Sequence, residues 1–90
     1  MAPAKILLVE DSPRDVQLLR LCLEALPEAQ RPQLTHVDSL AGALDGLESE
    51  GYDCVLLDLN LPDASGSACV PALTEAQRSV PIVVMTGLDD

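Results

Sequence analysis

Short runs of apolar residues alternate along this chain with longer amphipathic segments, and the alternation predicts its secondary structure. Residues 6–9 are continuously apolar and too few for a helix, which is typical of a strand buried on both faces. The apolar runs at residues 54–57 and 82–85 repeat this pattern, the first of them within a strand expected over residues 52–57, and residues 33–37 form a weaker strand candidate. Because helical patterns separate these strands, the order β-α-β-α-β-α-β predicts a parallel sheet with right-handed crossovers.

The first predicted helix has clear boundaries and a wide apolar face. Ser12 is suited to the N-cap, Pro13 to the first helical position and Asp15 to the positively charged helix end. Pro27 should stop the helix after Leu26. The apolar arc exceeds half of the circumference, whereas an ordinary surface helix needs a stripe of about 100°. We therefore expect a second covering partner for this helix besides the sheet. The arc consists of Val16, Leu18, Leu19, Leu21, Cys22, Leu23, Ala25 and Leu26.

Two further helices are expected between the later strands. Asp38 or Ser39 should cap the second helix, and Gly51 should end it. Its apolar positions follow the i, i+4, i+7 pattern of an amphipathic helix. The third helix is expected over residues 67–78, with Pro71 in its first turn, where a missing N–H is tolerated.

Acidic residues follow two of the predicted strands at the point where each strand ends. Glu10 and Asp11 come directly after the first strand, and Asp58 follows the third. Ligand sites of open parallel sheets form at the carboxyl ends of the strands, so these three carboxylates should meet. Carboxylates at such a short distance repel one another unless a cation or a proton lies between them. Three oxygen ligands without an imidazole cluster favour Mg²⁺ over zinc.

Composition excludes several classes of function. The 90 residues make one small domain with a net charge of −10, from 15 acidic and 5 basic residues. The bases form no stripe, and the chain has no Phe or Trp, so direct binding to nucleic acid or to an anionic membrane is not expected. Three cysteines without C-x-x-C spacing are typical of reduced thiols in a cytoplasmic protein. We expect neither a signal peptide nor a membrane span.

The motifs, taken in order, carry a family resemblance. Glu10-Asp11 is followed by Asp58, by Pro62 and Gly66 four and eight positions later, and by Thr86-Gly87 after an apolar strand. In this combination the chain resembles the receiver domain of two-component response regulators, over essentially its whole length. The resemblance implies a flavodoxin-like, doubly wound sheet with strand order 2-1-3-4 in a single domain over residues 1–90. The family continues with a helix, a strand and a final helix, so the domain is expected to be incomplete at its C-terminus.

The resemblance also implies the site residues. Asp58 resembles the aspartate that accepts a phosphoryl group from a histidine kinase. Thr86 resembles the hydroxyl that switches the domain, and Gly87 the residue that offers its N–H to the phosphate. The implied Mg²⁺ ligands are Glu10, Asp11, Asp58 and, through its backbone carbonyl, Asn60. The family also has a lysine at the start of its last strand. Lys5, the only lysine of the sequence, precedes the first strand and cannot take that role.

These residues are compatible with three functions. The first is a phosphoacceptor module, a switch more than an enzyme, whose partners are a histidine kinase or phosphotransfer protein, an output domain or partner protein, and a second copy in a homodimer. The homodimer is expected because the helix face and the edge strand 82–85 lack covering partners. The second is a non-phosphorylated interaction or dimerisation module, which the missing lysine favours. The third is a Mg²⁺-dependent phosphohydrolase, which Asn60 disfavours because such enzymes usually carry aspartate there.

Overall fold

Four parallel strands form one sheet and bring the predicted strand ends to a common edge. The computed structural model describes residues 3–58, 60–61, 64–65, 69–76 and 79–85. The strands in chain order are β1 Lys5–Val9, β2 Gln33–Val37, β3 Cys54–Asp58, β4 Asn60–Leu61, β5 Ala64–Ser65 and β6 Ile82–Met85. The main sheet has the order β2-β1-β3-β6, which confirms the predicted order 2-1-3-4. All its neighbouring strands are parallel.

The pair β4 and β5 was not predicted. These two-residue strands form a separate antiparallel ladder in which Asn60 pairs with Ser65 and Leu61 with Ala64. They lie directly after the third main strand, in the segment that the sequence pattern left between Asp58 and the third helix. Two residues are too few to show an alternating pattern, so the sequence gives no periodic signal for such a ladder.

Three helices connect the main strands, with boundaries set by identifiable caps. They are α1 Pro13–Glu24, α2 Leu40–Ser49 and α3 Cys69–Ala76, with a short 3₁₀ helix at Glu28–Gln30. The Ser12 hydroxyl accepts a hydrogen bond from the Asp15 N–H at 3.3 Å, as predicted for α1. Ser39, the second of the two cap candidates for α2, accepts from the Gly42 N–H at 3.1 Å. The predicted outer ends of the third helix, at 67–68 and 77–78, lie outside the described residues.

Arg31, which lies seven positions after the last residue of α1, donates hydrogen bonds to backbone carbonyls at this end of the helix. Arg31 donates from Nε to the Leu26 carbonyl at 3.0 Å and from Nη2 to the Glu24 carbonyl at 2.9 Å. The last turn of α1 itself contains no basic residue that could interact with these carbonyls. The guanidinium therefore adds to the local cap, in which the Ala25 and Leu26 N–H groups donate to the Cys22 and Leu23 carbonyls. The helix α1 ends at Glu24, two residues before the predicted Leu26.

A core that is aliphatic except for Tyr52 fills the face of the sheet that α2 and α3 cover. Side chains alternate between the two faces of a strand, so Leu7 and Val9 of β1 point to this face together with Val55 and Leu57 of β3. The buried cluster consists of Leu7, Val9, Ala43, Leu47, Tyr52, Val55, Leu57, Leu61 and Leu73. Since Leu57 is fully buried, the backbone that carries the next residue, Asp58, is anchored in this core.

The opposite face is covered by α1 and retains exposed apolar side chains. Residues of α1 share shallow grooves with Leu34 and His36 of β2, which places the helix on this side. Leu18 and Leu21 of α1 are 51% and 58% exposed. The sheet therefore covers only part of the apolar arc of α1, as the width of the arc predicted. Among the described strands, β6 pairs only with β3 and forms an outer edge. None of the helices described is long and apolar enough to cross a membrane.

Candidate functional site

The carboxyl ends of β1 and β3 bring three carboxylates together. These strands are direct neighbours in the sheet, with Val9 opposite Leu57, so Glu10 and Asp58 follow at the same level. One carboxylate oxygen from each of Glu10, Asp11 and Asp58 lies within 4.8 Å of the other two. The structure thus places these sequence-predicted residues in one cluster, as the parallel topology requires.

The three side chains differ in their access to solvent. Glu10 is buried, with 2% of its surface exposed, whereas Asp58 is half-buried and Asp11 is exposed. The Glu10 backbone N–H donates to the Val37 carbonyl of β2 at 3.0 Å, which continues the ladder of β1 by one residue. The Asp11 N–H donates to Oε2 of Glu10 at 3.2 Å. The cluster therefore has a fixed inner wall and opens to solvent on the side of Asp11 and Asp58.

The position of Glu10 changes its acidity. Burial, followed by the hydrogen bond to Asp58 and the negative charge of that residue, raises the pKa of Glu10 from its ordinary 4.5 to about 8. The nearby charge of Asp15 contributes in the same direction. Near neutral pH, a proton on Glu10 therefore separates carboxylates that would otherwise repel. A divalent cation can replace that proton and supply more charge, so the site is suited to exchange one for the other.

Asp15, predicted from the sequence only as a residue of the positively charged helix end, is a fourth carboxylate near the cluster. It lies in the first turn of α1, close enough to raise the pKa of Glu10 through its charge and a hydrogen bond. The signal that could have identified it is the short connection, because α1 begins at Pro13 directly after the acidic pair and Ser12. The first helical turn must then lie beside the strand end.

The chemistry of the donor set is compatible with Mg²⁺. The cluster offers carboxylate oxygens alone, which are the ligands that Mg²⁺ prefers, and it contains neither imidazole nor thiolate. His36 does approach Glu10, with Nε2 2.7 Å from the backbone carbonyl oxygen, but that contact does not involve the carboxylate. The residues present therefore fit a hard divalent cation that retains several of its waters.

The remaining predicted site residues are placed only in part. The backbone of Asn60 lies in β4, two residues after Asp58. Thr86 and Gly87, like Pro62 and Gly66 of the motif, lie outside the described residues. Their predicted contributions to the site stay predictions.

Comparison with known proteins identifies relatives along nearly the whole chain. A family model described as the response regulator receiver domain matches residues 6–90. The swarming motility regulation protein RssB of Serratia marcescens is 40% identical over 84 residues, which cover 93% of this chain and 36% of that protein. The chain spans about a third of the length of the first curated relatives that it matches.

Solved structures agree with the sequence relatives. The CheY-like response regulator receiver domain from Methylobacillus flagellatus matches with a TM-score of 0.81 at 32% identity, over 98% of this chain and 73% of that one. The receiver domain of sensor histidine kinase PA1611 from Pseudomonas aeruginosa PAO1 matches with a TM-score of 0.82 at 29% identity. That match covers 97% of this chain and 70% of the other, which coordinates a magnesium ion in its active site cleft.

Proposed function

This chain belongs to the response regulator receiver family, whose members are signalling modules rather than enzymes, and we propose that it takes a phosphoryl group onto Asp58 with the help of Mg²⁺. The donor is a histidine kinase or a phosphotransfer protein. The observation that carries this proposal is the cluster of Glu10, Asp11 and Asp58 at the carboxyl edge of the sheet. The magnesium ion in the receiver domain of PA1611 supports it.

Asp58 combines the access and the support that a nucleophile needs. It is half-buried at the end of β3, so an incoming phosphoryl group can reach its carboxylate while the strand holds its backbone. In the proposed transfer, a carboxylate oxygen of Asp58 forms a bond to phosphorus while the bond from phosphorus to the kinase histidine nitrogen breaks. The electron pair stays on that nitrogen. Such transfers depend on positioning and charge neutralisation more than on covalent help from the protein.

The other residues of the cluster would hold the cation. Asp11 and Glu10 supply carboxylate oxygens, and Asn60 supplies its backbone carbonyl. When bound, Mg²⁺ offsets the negative charge of the carboxylates and the phosphoryl oxygens. Thr86 and Gly87 are proposed to hold the transferred group, the first through its hydroxyl and the second through its backbone N–H.

The wild-type chain is expected to gain one phosphoryl group when it is incubated with Mg²⁺ and a small acyl phosphate. Intact-mass spectrometry measures the gain, and peptide mapping should place it on Asp58 as an acid-stable, base-labile adduct. Asp58→Asn should abolish the gain, because an amide is no nucleophile at phosphorus. Asp45→Asn is the matched control, since Asp45 is exposed on α2. Absence of an adduct in a chain that binds Mg²⁺ would reject the phosphoacceptor function.

A non-phosphorylated interaction module is the second candidate, and the exposed apolar side chains Leu18, Leu21, Val83 and Val84 favour it. Lys5 takes no part in binding a phosphoryl group. Lys5, the only lysine, lies at the amino end of β1. There its Nζ is 3.5 Å from the Glu50 carboxylate and 5.6 Å from the centre of the Tyr52 ring. It therefore cannot approach a phosphoryl group at the opposite edge of the sheet. This alternative requires that Asp58→Asn leave partner binding unchanged.

Partners and location follow from the same proposal. An output domain or a separate partner protein would convert phosphorylation of Asp58 into a response, in line with the regulatory relatives of the chain. We propose a cytoplasmic location, because Cys22 and Cys54 are free thiols, as is usual in a reducing compartment.

We also propose a second copy of the chain as the occupant of the β6 edge. Val83 and Val84 are 48% and 41% exposed, and an unpaired edge offers backbone groups for pairing. Residues 79–88 contain no charged side chain, so two such edges can meet without local repulsion although the net charge is −10. Two-fold symmetry makes this contact self-complementary.

The wild-type chain is accordingly expected to form dimers as its concentration rises in sedimentation velocity experiments. Val83→Lys should shift the equilibrium to monomers by tenfold or more (about 1.4 kcal/mol), because it places like charges at the shared edge. Ser79→Lys adds the same charge at an exposed position before β6 and serves as the control. A wild-type chain that stays monomeric at every concentration would contradict the homodimer.

A further inference from the structure

We propose that His36 is a positioning residue that fixes the peptide group between Glu10 and Asp11 and so orients both side chains for the cation. This inference rests on the proposed function, because it concerns the same acidic cluster. His36 is exposed on β2, in register with Leu8 of β1. Its Nε2 lies 2.7 Å from the Glu10 carbonyl oxygen. A carbonyl can only accept, so Nε2 is the donor in this hydrogen bond.

The hydrogen bond falls where the regular ladder of β1 stops. The strand ends at Val9, and Glu10 is held to β2 by its N–H, which donates to the Val37 carbonyl at 3.0 Å. His36 satisfies the carbonyl of the same residue. Both backbone polar groups of Glu10 thus contact β2, although β1 itself ends at Val9.

Fixing this carbonyl also fixes the next N–H. In a trans peptide the C=O of one residue and the N–H of the following residue lie in one plane and point in opposite directions. With the Glu10 carbonyl directed to His36, the Asp11 N–H must point away from β2, and there it donates to Oε2 of Glu10 at 3.2 Å. The imidazole contact therefore holds the direction of this peptide, and through the Asp11 N–H it contributes to the placement of the Glu10 carboxylate.

If the contact between His36 and Glu10 only held the two strands together, loss of His36 would lower the stability of the chain more than its affinity for the cation. β2 and β1 already pair over five residues, from Lys5 opposite Gln33 to Val9 opposite Val37. An exposed histidine at the penultimate position therefore adds little to the cohesion of the sheet. If His36 positions the peptide, its loss must change the cation site much more than it changes the stability of the chain.

Two variants separate the hydrogen bond from the strand. His36→Val removes the donor but keeps a residue that favours strands. His36→Gln retains a donor, because its amide nitrogen is as many bonds from Cβ as Nε2 of histidine. Thr35→Ala is the control, since Thr35 is an exposed neighbour on the other face of β2. Each variant is assayed for its Mg²⁺ dissociation constant by calorimetry, for its midpoint of unfolding in urea, and for the amide chemical shift of Asp11 without Mg²⁺.

His36→Val is expected to weaken Mg²⁺ binding by about 10- to 100-fold, the range found when partners of metal ligands are removed. It should also shift the Asp11 amide resonance while the urea midpoint stays near that of Thr35→Ala. His36→Gln should restore most of the affinity and the resonance. An affinity of His36→Val within twofold of wild type, or His36→Gln as defective as His36→Val, would overturn the inference.

The proposed function and this inference can fail separately. A wild-type chain without Mg²⁺ binding would reject the function of the cluster. The Asp11 amide then decides the role of His36 alone, because its shift is measured without metal. An unchanged Asp11 resonance in His36→Val would reject the positioning role even in a chain that binds Mg²⁺ and accepts a phosphoryl group.

Discussion

Without Mg²⁺, the chain is expected to unfold more easily at about pH 9 than at about pH 5, and Mg²⁺ should remove most of this difference. The cause is Glu10, because burial and the neighbouring Asp58 raise its pKa from 4.5 to about 8. Between these two pH values the folded chain binds a proton that the unfolded chain has released, so the free energy of unfolding falls as pH rises. The contribution is complete below pH 4.5 and is lost as pH passes about 8.

The effect is large for a chain of this size. A change of this size in the pKa of Glu10 corresponds to a change of the order of a few kcal/mol in the free energy of unfolding. Small domains have total stabilities of about 5 to 15 kcal/mol. In the proposed function Mg²⁺ would bind the deprotonated cluster of the folded state, so it should stabilise the chain most at high pH, where Glu10 has lost its proton.

Urea unfolding over this pH range, with and without Mg²⁺, measures the dependence. Glu10→Gln is the informative variant, because the amide has nearly the same shape and no proton to lose. It should give a chain whose stability changes little between about pH 5 and pH 9 and responds weakly to Mg²⁺. If the wild-type chain without Mg²⁺ is equally stable across this range, the assignment of a proton to Glu10 is wrong.

Leu57→Ala is expected to lower the free energy of unfolding by about 2 to 5 kcal/mol, the cost of truncating a buried leucine and leaving a cavity. Leu57 is fully buried in the cluster beneath α2 and α3. It lies on β3 between β1 and β6, opposite Val9 and Val84. The loss would remove a large part of the stability of so short a chain. Because Leu57 precedes Asp58, the acidic cluster should lose its support together with the core.

Leu21→Ala provides the matched comparison, since it removes the same atoms from a side chain that is 58% exposed on α1. Its cost should stay below about 0.5 kcal/mol, as for most surface substitutions. Both variants are compared by urea unfolding at one protein concentration, low enough to keep the chain monomeric. Equal free energies of unfolding for the two variants would mean that the core beneath α2 and α3 contributes no more to stability than the exposed face of α1.

The main features of the fold and the cluster were predictable because they follow from local patterns. The apolar run at residues 6–9 could only be a buried strand. Parallel strands end at the same edge, so the positions of Glu10 and Asp58 after two such runs were sufficient to bring their carboxylates together. The caps at Ser12 and Ser39 were readable for the same reason, since a cap involves residues that are neighbours in sequence.

Contacts between distant segments could not be predicted in this way. The approach of His36 to the Glu10 carbonyl spans 26 positions and depends on the register of β2 against β1. Sequence periodicity specifies which face of a strand is buried, but it does not determine which residue lies beside a given carbonyl. The elevated pKa of Glu10 depends on burial and on the approach of Asp15, which require the packing of α1 against the strand ends.

The contact of Arg31 with the end of α1 limits how the connection to β2 can vary. The guanidinium reaches the carbonyl of Glu24 across seven positions and that of Leu26 across five. Surface connections normally accept insertions and deletions. Here a single residue added or removed between positions 26 and 31 would change the spacing of the arginine from both carbonyls. We therefore expect a longer or shorter connection to leave the Glu24 and Leu26 carbonyls to water, while the backbone N–H groups of Ala25 and Leu26 still close the last turn of α1.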